Sequence, residues 1–200
     1  MNNIEKKKIL IFVPAYNVEK QILRVLKKIP FEKLSNCFLR ILIIEDNSKD
    51  NTRQVIDDYL KLIKNGELFQ VIKNEKNNGY GGVQKIAFNY AIKNNFDFVI
   101  MLHGDAQYEP EKLPEFISNL LNTDADAIFG SRFINPKEPL KNGMPINRYF
   151  GNRAVTFIQN LIVGTKMTEF HSGYRSFKIN VLKNINFEKN LNDFYFDSEI

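Results

Sequence analysis

The feature that most constrains this chain is a set of short, predominantly apolar runs separated by stretches of helical period. The runs are Ile9-Leu10-Ile11-Phe12-Val13, Leu39 to Ile44, Leu68 to Ile72, Phe96 to Leu102 and Ala125 to Phe129. A strand with one wet face alternates; a strand apolar at every position is covered on both faces. Between the runs lie single helix faces: Ile22, Val25, Leu26 and Ile29; then Val55, Ile56, Tyr59, Leu60 and Ile63, with Asp50 as a plausible N-cap; then Val83, Ile86, Ala87 and Tyr90; then Leu113, Phe116, Ile117, Leu120 and Leu121. A loop with Pro136, Pro139, Gly143 and Pro145 leads into a longer helix over residues 147–163. The alternation predicts an α/β fold with a mostly parallel central sheet and helices on both faces. No repeat or low-complexity linker divides residues 1–200, which read as one domain.

Composition narrows the function classes. With 200 residues, 44% of them hydrophobic, the chain can bury a core without staples. Cys37 is the single cysteine, so a disulfide framework and a thiolate zinc cluster are excluded, and a reducing, cytoplasmic compartment is expected. No apolar run approaches the roughly 18–20 residues needed to cross a bilayer. The segment from Met1 to Lys8 is polar and does not read as a signal peptide. The net charge of +5 is spread without a basic block beyond Lys6-Lys7-Lys8, so nucleic acid is not an expected partner. Four of the few arginines, Arg132, Arg148, Arg153 and Arg175, fall in the last third of a lysine-biased chain. A guanidinium fork there suits phosphate or carboxylate.

In open parallel sheets ligands bind at the carboxyl ends of strands. The chemically capable residues fall there. Pro14-Ala15-Tyr16-Asn17 follows the first run, Glu45-Asp46-Asn47-Ser48 the second, His103-Gly104-Asp105-Ala106-Gln107 the fourth and Gly130-Ser131-Arg132 the fifth. Asp105 and Gln107 can converge on a hard cation that shares its remaining sites with phosphate; the alternative is a turn that caps the next helix. Glu45 and Asp46 can bind a ribose or base, or form an Asx-turn. Asn77-Asn78-Gly79-Tyr80-Gly81-Gly82 could offer N–H groups to phosphate, but its spacing matches neither nucleotide-loop fingerprint and a plain turn is favoured. Arg175 sits in the turn-like His171-Ser172-Gly173-Tyr174-Arg175.

Taken in order, these segments, with Asp50-Asn51-Thr52 and Pro110, resemble the family-2 glycosyltransferases, and within them the dolichol-phosphate mannosyltransferase-like branch. The resemblance covers about Ile9 to Ile200. It implies a GT-A fold and an inverting, metal-dependent transfer from a GDP- or UDP-linked sugar. By resemblance, Pro14, Ala15, Tyr16, Asn17, Glu19, Glu45, Asp46, Asn78 and Gly79 belong to the nucleotide side. Asp105, Gln107 and His103 match the metal-binding segment, with Mn2+ or Mg2+ as cofactor. Arg132, Arg148, Arg153, Ser172 and Arg175 match the acceptor side. His103 departs from the family, which has an aspartate there; an imidazole moves preference from Mg2+ toward Mn2+ or a softer ion.

Two acceptors follow as expectations. A polyprenyl phosphate is already anionic and needs orienting arginines rather than a base. A glycan hydroxyl needs a base, for which Asp197 and Glu199 are the candidates beside catalytic Asp105 and Arg132. A nucleotide-sugar-binding module without catalysis is the third reading. Phe150, Phe157, Ile158, Leu161 and Ile162 are expected to pack into the core, with contact to the inner face of a membrane as the alternative. Residues 196–200 read as the start of a helix, so the domain is expected to be cut short at its C-terminus.

Overall fold

The computed structural model describes residues 6–141 and 143–200. In chain order the elements are β1 (Lys8–Ala15), α1 (Ile22–Lys27), β2 (Phe38–Glu45), α2 (Thr52–Leu62), β3 (Phe69–Lys73), α3 (Gly79–Lys93), β4 (Phe98–Met101), α4 (Leu113–Asn122), β5 (Ala127–Phe129), α5 (Glu138–Lys141), α6 (Ile146–Val163), β6 (Arg175–Lys178), α7 (Ile179–Leu182) and α8 (Phe196–Glu199). The strands form one sheet in the order β3-β2-β1-β4-β6-β5. Pairs β3·β2, β2·β1 and β1·β4 are parallel, whereas β6 runs antiparallel to both neighbours.

Register decides where the loops emerge. Ala15 pairs with Glu45, Glu45 with Lys73, and Phe12 with Met101, so β1, β2, β3 and β4 deliver their carboxyl ends to one edge. The pleat splits β1 between two cores. Ile9, Ile11 and Val13 face a layer with Ile22, Leu26, Ile56, Leu113 and Ile117 from α1, α2 and α4. Leu10 and Phe12 face the opposite layer with Val83, Phe88, Ile179 and Phe196 from α3, α7 and α8. Continuous apolarity in the sequence is thus burial on both faces, as expected.

Three local expectations change. Arg175–Lys178 is a strand, not the tail of a turn; Arg-Ser-Phe-Lys carries no apolar run, and its partners β4 and β5 supply the ladder. Asp105 does not cap the helix that follows it: α4 has no side-chain cap, and the Asp105 Oδ1 atom accepts the Gln107 N–H at 3.0 Å. The apolar side chains of α6 do not pack into the core. Phe150 is 64% exposed, Leu161 68% and Ile162 78%, and only Thr156 of this helix is buried.

Candidate functional site

The strand ends surround a cleft of about 730 Å3. One wall is Pro14, Ala15 and Tyr16. They are presented by two loops knitted to each other. The N–H of Asn17 donates to the Ser48 hydroxyl at 3.1 Å, and that of Lys49 to the Asn17 side-chain oxygen at 2.8 Å. The N–H of Val18 donates to the Thr52 hydroxyl at 2.7 Å; that of Glu19 to Asp50 at 3.1 Å, and that of Asn51 to Glu19 at 2.9 Å. Asn17 pays a local conformational cost with a φ of 52°. Asn17 and Glu19 therefore tie loop to loop, and neither lines the cleft. Glu45 is buried, accepts the Ser48 N–H at 2.6 Å and pairs with Arg53 at 3.2 Å, also off the cleft.

Asp46 reaches the cleft, but its carboxylate is engaged. It accepts the Asn74 amide at 2.7 Å and the N–H groups of Asn78 and Gly79 at 2.9 and 3.1 Å. It is the anion at the N-terminus of α3, where the helix dipole favours negative charge. The N–H groups of Gly81 and Gly82 go to the Asn192 carbonyl. These donors are spent within the protein, which removes the phosphate cradle considered for the glycine-rich loop. Gly79, with a φ of 77°, lines the cleft, and Asn78 does not.

His103, Asp105 and Gln107 come together on the cleft wall after β4. Ala106 between the last two has a φ of 61°, a left-handed turn that costs a β-carbon residue energy. His103 Nδ1 is 3.8 Å from Asp105 Oδ2. Burial pushes the imidazole below its ordinary pKa, against the pull of Asp105 and Asp197. The ring neighbours Tyr80 and Tyr108, with centroids at 5.7 and 5.3 Å, and abuts Gly173, where a β-carbon would collide with it.

The same cleft is lined by Arg132, Arg148, Asn152 and Asp197, with the Arg132 guanidinium 5.9 Å from the centre of the Tyr108 ring. Arg132 is locked by buried Glu169, which accepts its backbone N–H at 2.8 Å, its Nε–H at 3.0 Å and its Nη2–H. Asn152 also donates to Glu169, at 3.2 Å. Arg148 has no side-chain partner among the described residues, whereas Arg153 lies outside the cleft over the Tyr149 ring. Arg175 is buried and off the cleft. Its donors go to the carbonyls of Ser172, Asp197 and Phe170 at 2.7 to 2.8 Å. Ser172 is buried too, its hydroxyl accepting the Tyr174 N–H.

Asp197, on α8, accepts the Tyr80 hydroxyl at 2.9 Å and the Gln84 amide at 2.8 Å, with Arg175 Nη2 at 3.4 Å. Glu199 is exposed, and its carboxylate takes the Leu191 N–H at 2.7 Å, away from the cleft. Tyr108, Asn152 and Phe194 line the cleft without a sequence signal, whereas Tyr80, His171 and Gly173 fall within segments singled out above. Tyr80 stacks on Phe194 with centroids 4.9 Å apart.

Comparison with known proteins fixes the lineage. Residues 10–185 match the model of Glycosyl transferase family 2. A UDP-N-acetylglucosamine--dolichyl-phosphate N-acetylglucosaminyltransferase of Methanococcus voltae is 32% identical over 186 residues, covering 88% of this chain and 72% of that protein. An undecaprenyl-phosphate mannosyltransferase of Micrococcus luteus is 23% identical over 148 residues, 74% of this chain and 58% of its own. Among solved structures, glucosyl-3-phosphoglycerate synthase from Mycobacterium tuberculosis, in complex with Mn2+, UDP and phosphoglyceric acid, superposes with a TM-score of 0.66 at 15% identity. That match covers 96% of this chain and 61% of the other. Mannosyltransferase PcManGT from Pyrobaculum calidifontis, in complex with GDP-Man and Mn2+, gives 0.60 at 12% identity, covering 96% and 51%. The chain thus spans about half to three-fifths of these two solved structures, and its sheet is the GT-A arrangement. A family model that runs from β1 past β6, over a cleft built from the same strand ends, makes this chain a member of glycosyl transferase family 2.

Proposed function

We propose that this protein transfers a sugar from a nucleoside diphosphate sugar to a polyprenyl-phosphate-type acceptor, with inversion at the anomeric carbon. The observation that carries the reading is the meeting of two kinds of group in one cleft. Asp105 and Gln107 line it together with Arg132 and Arg148, and Arg148 and Asn152 bring the start of the exposed apolar helix α6 to it.

Tyr16, 42% exposed on the β1 wall, offers a face for the base, and the loop held by Asp46 closes that end. Asp105, Gln107 and His103 fit a divalent cation, Mn2+ or Mg2+. They offer one carboxylate oxygen, one amide oxygen and an imidazole nitrogen, which leaves room for phosphate and water ligands. When bound, such an ion neutralises charge on the leaving diphosphate. Arg132, fixed by Glu169, and Arg148, free to move, orient the acceptor phosphate. A phosphate acceptor is anionic at neutral pH and needs no base.

The relatives named above support the acceptor class, since one acts on dolichyl phosphate and another on undecaprenyl phosphate by name. Helix α6 supports it physically. Residues 146–163 hold two arginines and no acid, and Phe150, Phe157, Leu161 and Ile162 are exposed. An amphipathic surface of this kind suits the interface of an anionic bilayer at the cytoplasmic leaflet. No helix among the described residues is long and apolar enough to cross a membrane.

A second reading, transfer to a glycan hydroxyl, is favoured by one observation: Asp197 lines the cleft with its carboxylate held by Tyr80 and Gln84, as a base would be. Incubation with radiolabelled UDP-GlcNAc or GDP-mannose, Mn2+ and a short polyprenyl phosphate separates the readings. Label extracted into organic solvent in an acid-labile form is expected. Label found only on a sugar hydroxyl would establish the second reading, and nucleotide-sugar binding without turnover on any acceptor would reduce the protein to a binding module. Asp105→Ala is expected to abolish Mn2+-dependent nucleotide affinity.

A further inference from the structure

A proton count across the cleft links His103 to Asp197. Asp197 accepts hydrogen bonds from Tyr80 and Gln84 and faces Arg175, which is the surrounding of an ionised carboxylate. An ionised carboxylate only accepts, so the single hydroxyl proton of Tyr80 points at Asp197. Met101 Sδ, at 3.8 Å, is too far and too weak an acceptor to compete for that proton, so the Tyr80 oxygen has only lone pairs for His103 Nε2, at 3.4 Å. That contact is attractive only if Nε2 carries the hydrogen. Nδ1 of a neutral imidazole is then bare, and it faces the Asp105 carboxylate at 3.8 Å. Two lone-pair donors face each other with no proton between them, which is the arrangement a cation relieves.

We propose that Tyr80, braced by Asp197, is a positioning residue that fixes His103 as the Nε2–H tautomer and so presents Nδ1, beside Asp105, as a cation ligand. This rests on the reading of Asp105 and His103 as cation-binding groups, though the tautomer itself does not. A metal-bound histidine ordinarily gives its second N–H to an acceptor that fixes ring and tautomer; here that acceptor is a phenol whose own proton is committed elsewhere. The packing agrees. The His103 ring is packed against Gly173, where a β-carbon would collide with it, and has Tyr80 and Tyr108 as ring neighbours. Gly173 is held in place by its N–H bond to the Tyr108 hydroxyl at 2.6 Å. The substitution of a family aspartate by histidine is therefore accompanied by a slot shaped for an imidazole.

The chain has only two histidines, which makes the test direct. Long-range 1H–15N correlation on uniformly labelled protein distinguishes the ring nitrogens, because Nε2 couples to both carbon-bound ring protons. His171→Gln assigns the His103 pattern. The expected result is a protonated Nε2 and an unprotonated Nδ1 on His103 in the metal-free protein. Tyr80→Phe keeps the ring stack and removes only the hydroxyl. It is expected to mix the tautomers and to weaken Mn2+ binding, measured by electron paramagnetic resonance with UDP present, about 10-fold. An Nδ1–H tautomer in the wild type would overturn the proposal, and this measurement does not depend on the folding of any Tyr80 variant. Unchanged tautomer and unchanged Mn2+ affinity in a folded Tyr80→Phe would overturn it as well. If the tautomer is as stated but neither Mn2+ nor Mg2+ binds with any nucleotide, the cation reading fails and the positioning of the ring survives.

Discussion

The Arg132–Glu169 pair gives the sharpest energetic prediction. Glu169 has a side chain 0% exposed, against 28% for Arg132. Its two oxygens receive the Arg132 backbone N–H, two guanidinium N–H groups and the Asn152 amide. Arg132→Ala removes the guanidinium and leaves a buried carboxylate with one backbone N–H and one amide. Breaking a buried pair in this way costs about 3–5 kcal/mol, because the remaining charge is uncompensated. Domains of this kind are stable by about 5–15 kcal/mol, so a large share of the total is at stake. With a urea slope of about 3 kcal/mol/M the unfolding midpoint falls by about 1–1.7 M.

The same physics says that removing both charges is mild. Arg132→Met with Glu169→Leu replaces the pair by apolar groups of similar length and is expected to recover most of the loss. The cycle of two single variants and the double, followed by circular dichroism in urea, reads the coupling directly. If Arg132→Ala costs under about 1 kcal/mol and the double variant is merely the sum of the singles, the pair is not the buried lock described. The double variant also serves function: it keeps the fold, lacks the guanidinium, and so separates loss of an anion contact from loss of structure.

Four further outcomes are expected. Ala106→Gly relieves a left-handed residue and should raise Tm by about 2 °C, whereas Ala106→Val should lower it, both read by calorimetry. Gly79→Ala adds a β-carbon at positive φ, against the Asn192 carbonyl, and should cost at least about 2 kcal/mol in urea titration. Asp50→Ala should cost about 1 kcal/mol at pH 7, since Asp50 accepts the first N–H of α2 at 3.0 Å. Burial opposes its ionisation, but the bonds from Thr52 and Glu19 win and hold the carboxyl below its ordinary value. Its contribution is thus complete above the unfolded pKa of about 3.9, and the gap between wild type and variant should close as pH falls below it. Arg148→Ala, with no side-chain partner to lose among the described residues, should leave Tm unchanged and weaken binding of a phosphate-bearing acceptor about 10-fold by calorimetric titration.

What the sequence made legible follows from burial. Strands covered on both faces have no polar positions to spare, so β1, β2 and β4 are written as apolar runs and their ends locate the loops. Asp105, Gln107 and Tyr16 could be placed because they follow such ends directly. β6 was hidden because its four residues borrow their ladder from neighbours and include buried Arg175 and Ser176. Glu169 lies 37 residues from Arg132 in a stretch with no periodicity, and Tyr80 meets Asp197 across 117 residues. Pairings of that range leave no mark in a local pattern. Helix α6 misled for a different reason: its apolar residues are real, but a sequence states that a face wants covering without stating what covers it.

Hydrogen-bond accounting divides the strand-end residues more sharply than position does. Glu45, Asp46, Glu19, Arg175 and Arg132 all follow strands or lie beside the cleft, and each spends most of its polar capacity on the protein itself. They build a rigid frame: loop knitted to loop, the α3 terminus capped by a carboxylate, and Asp197 held from three sides. The groups left over are few. Among the described residues they include the Oδ2 atom of Asp105, the amide of Gln107, the Nδ1 of His103, the imidazole of His171, the ring of Tyr16 and the guanidinium of Arg148. A site whose scaffold groups are satisfied loses little to reorganisation when a ligand arrives, so its binding energy goes into the contacts that discriminate. On the proposed reading, Asp105, Gln107 and His103 among the unspent groups are cation ligands and Arg148 is an anion ligand. On that reading, the ligand presents its diphosphate toward Asp105 and a second anionic group toward Arg148.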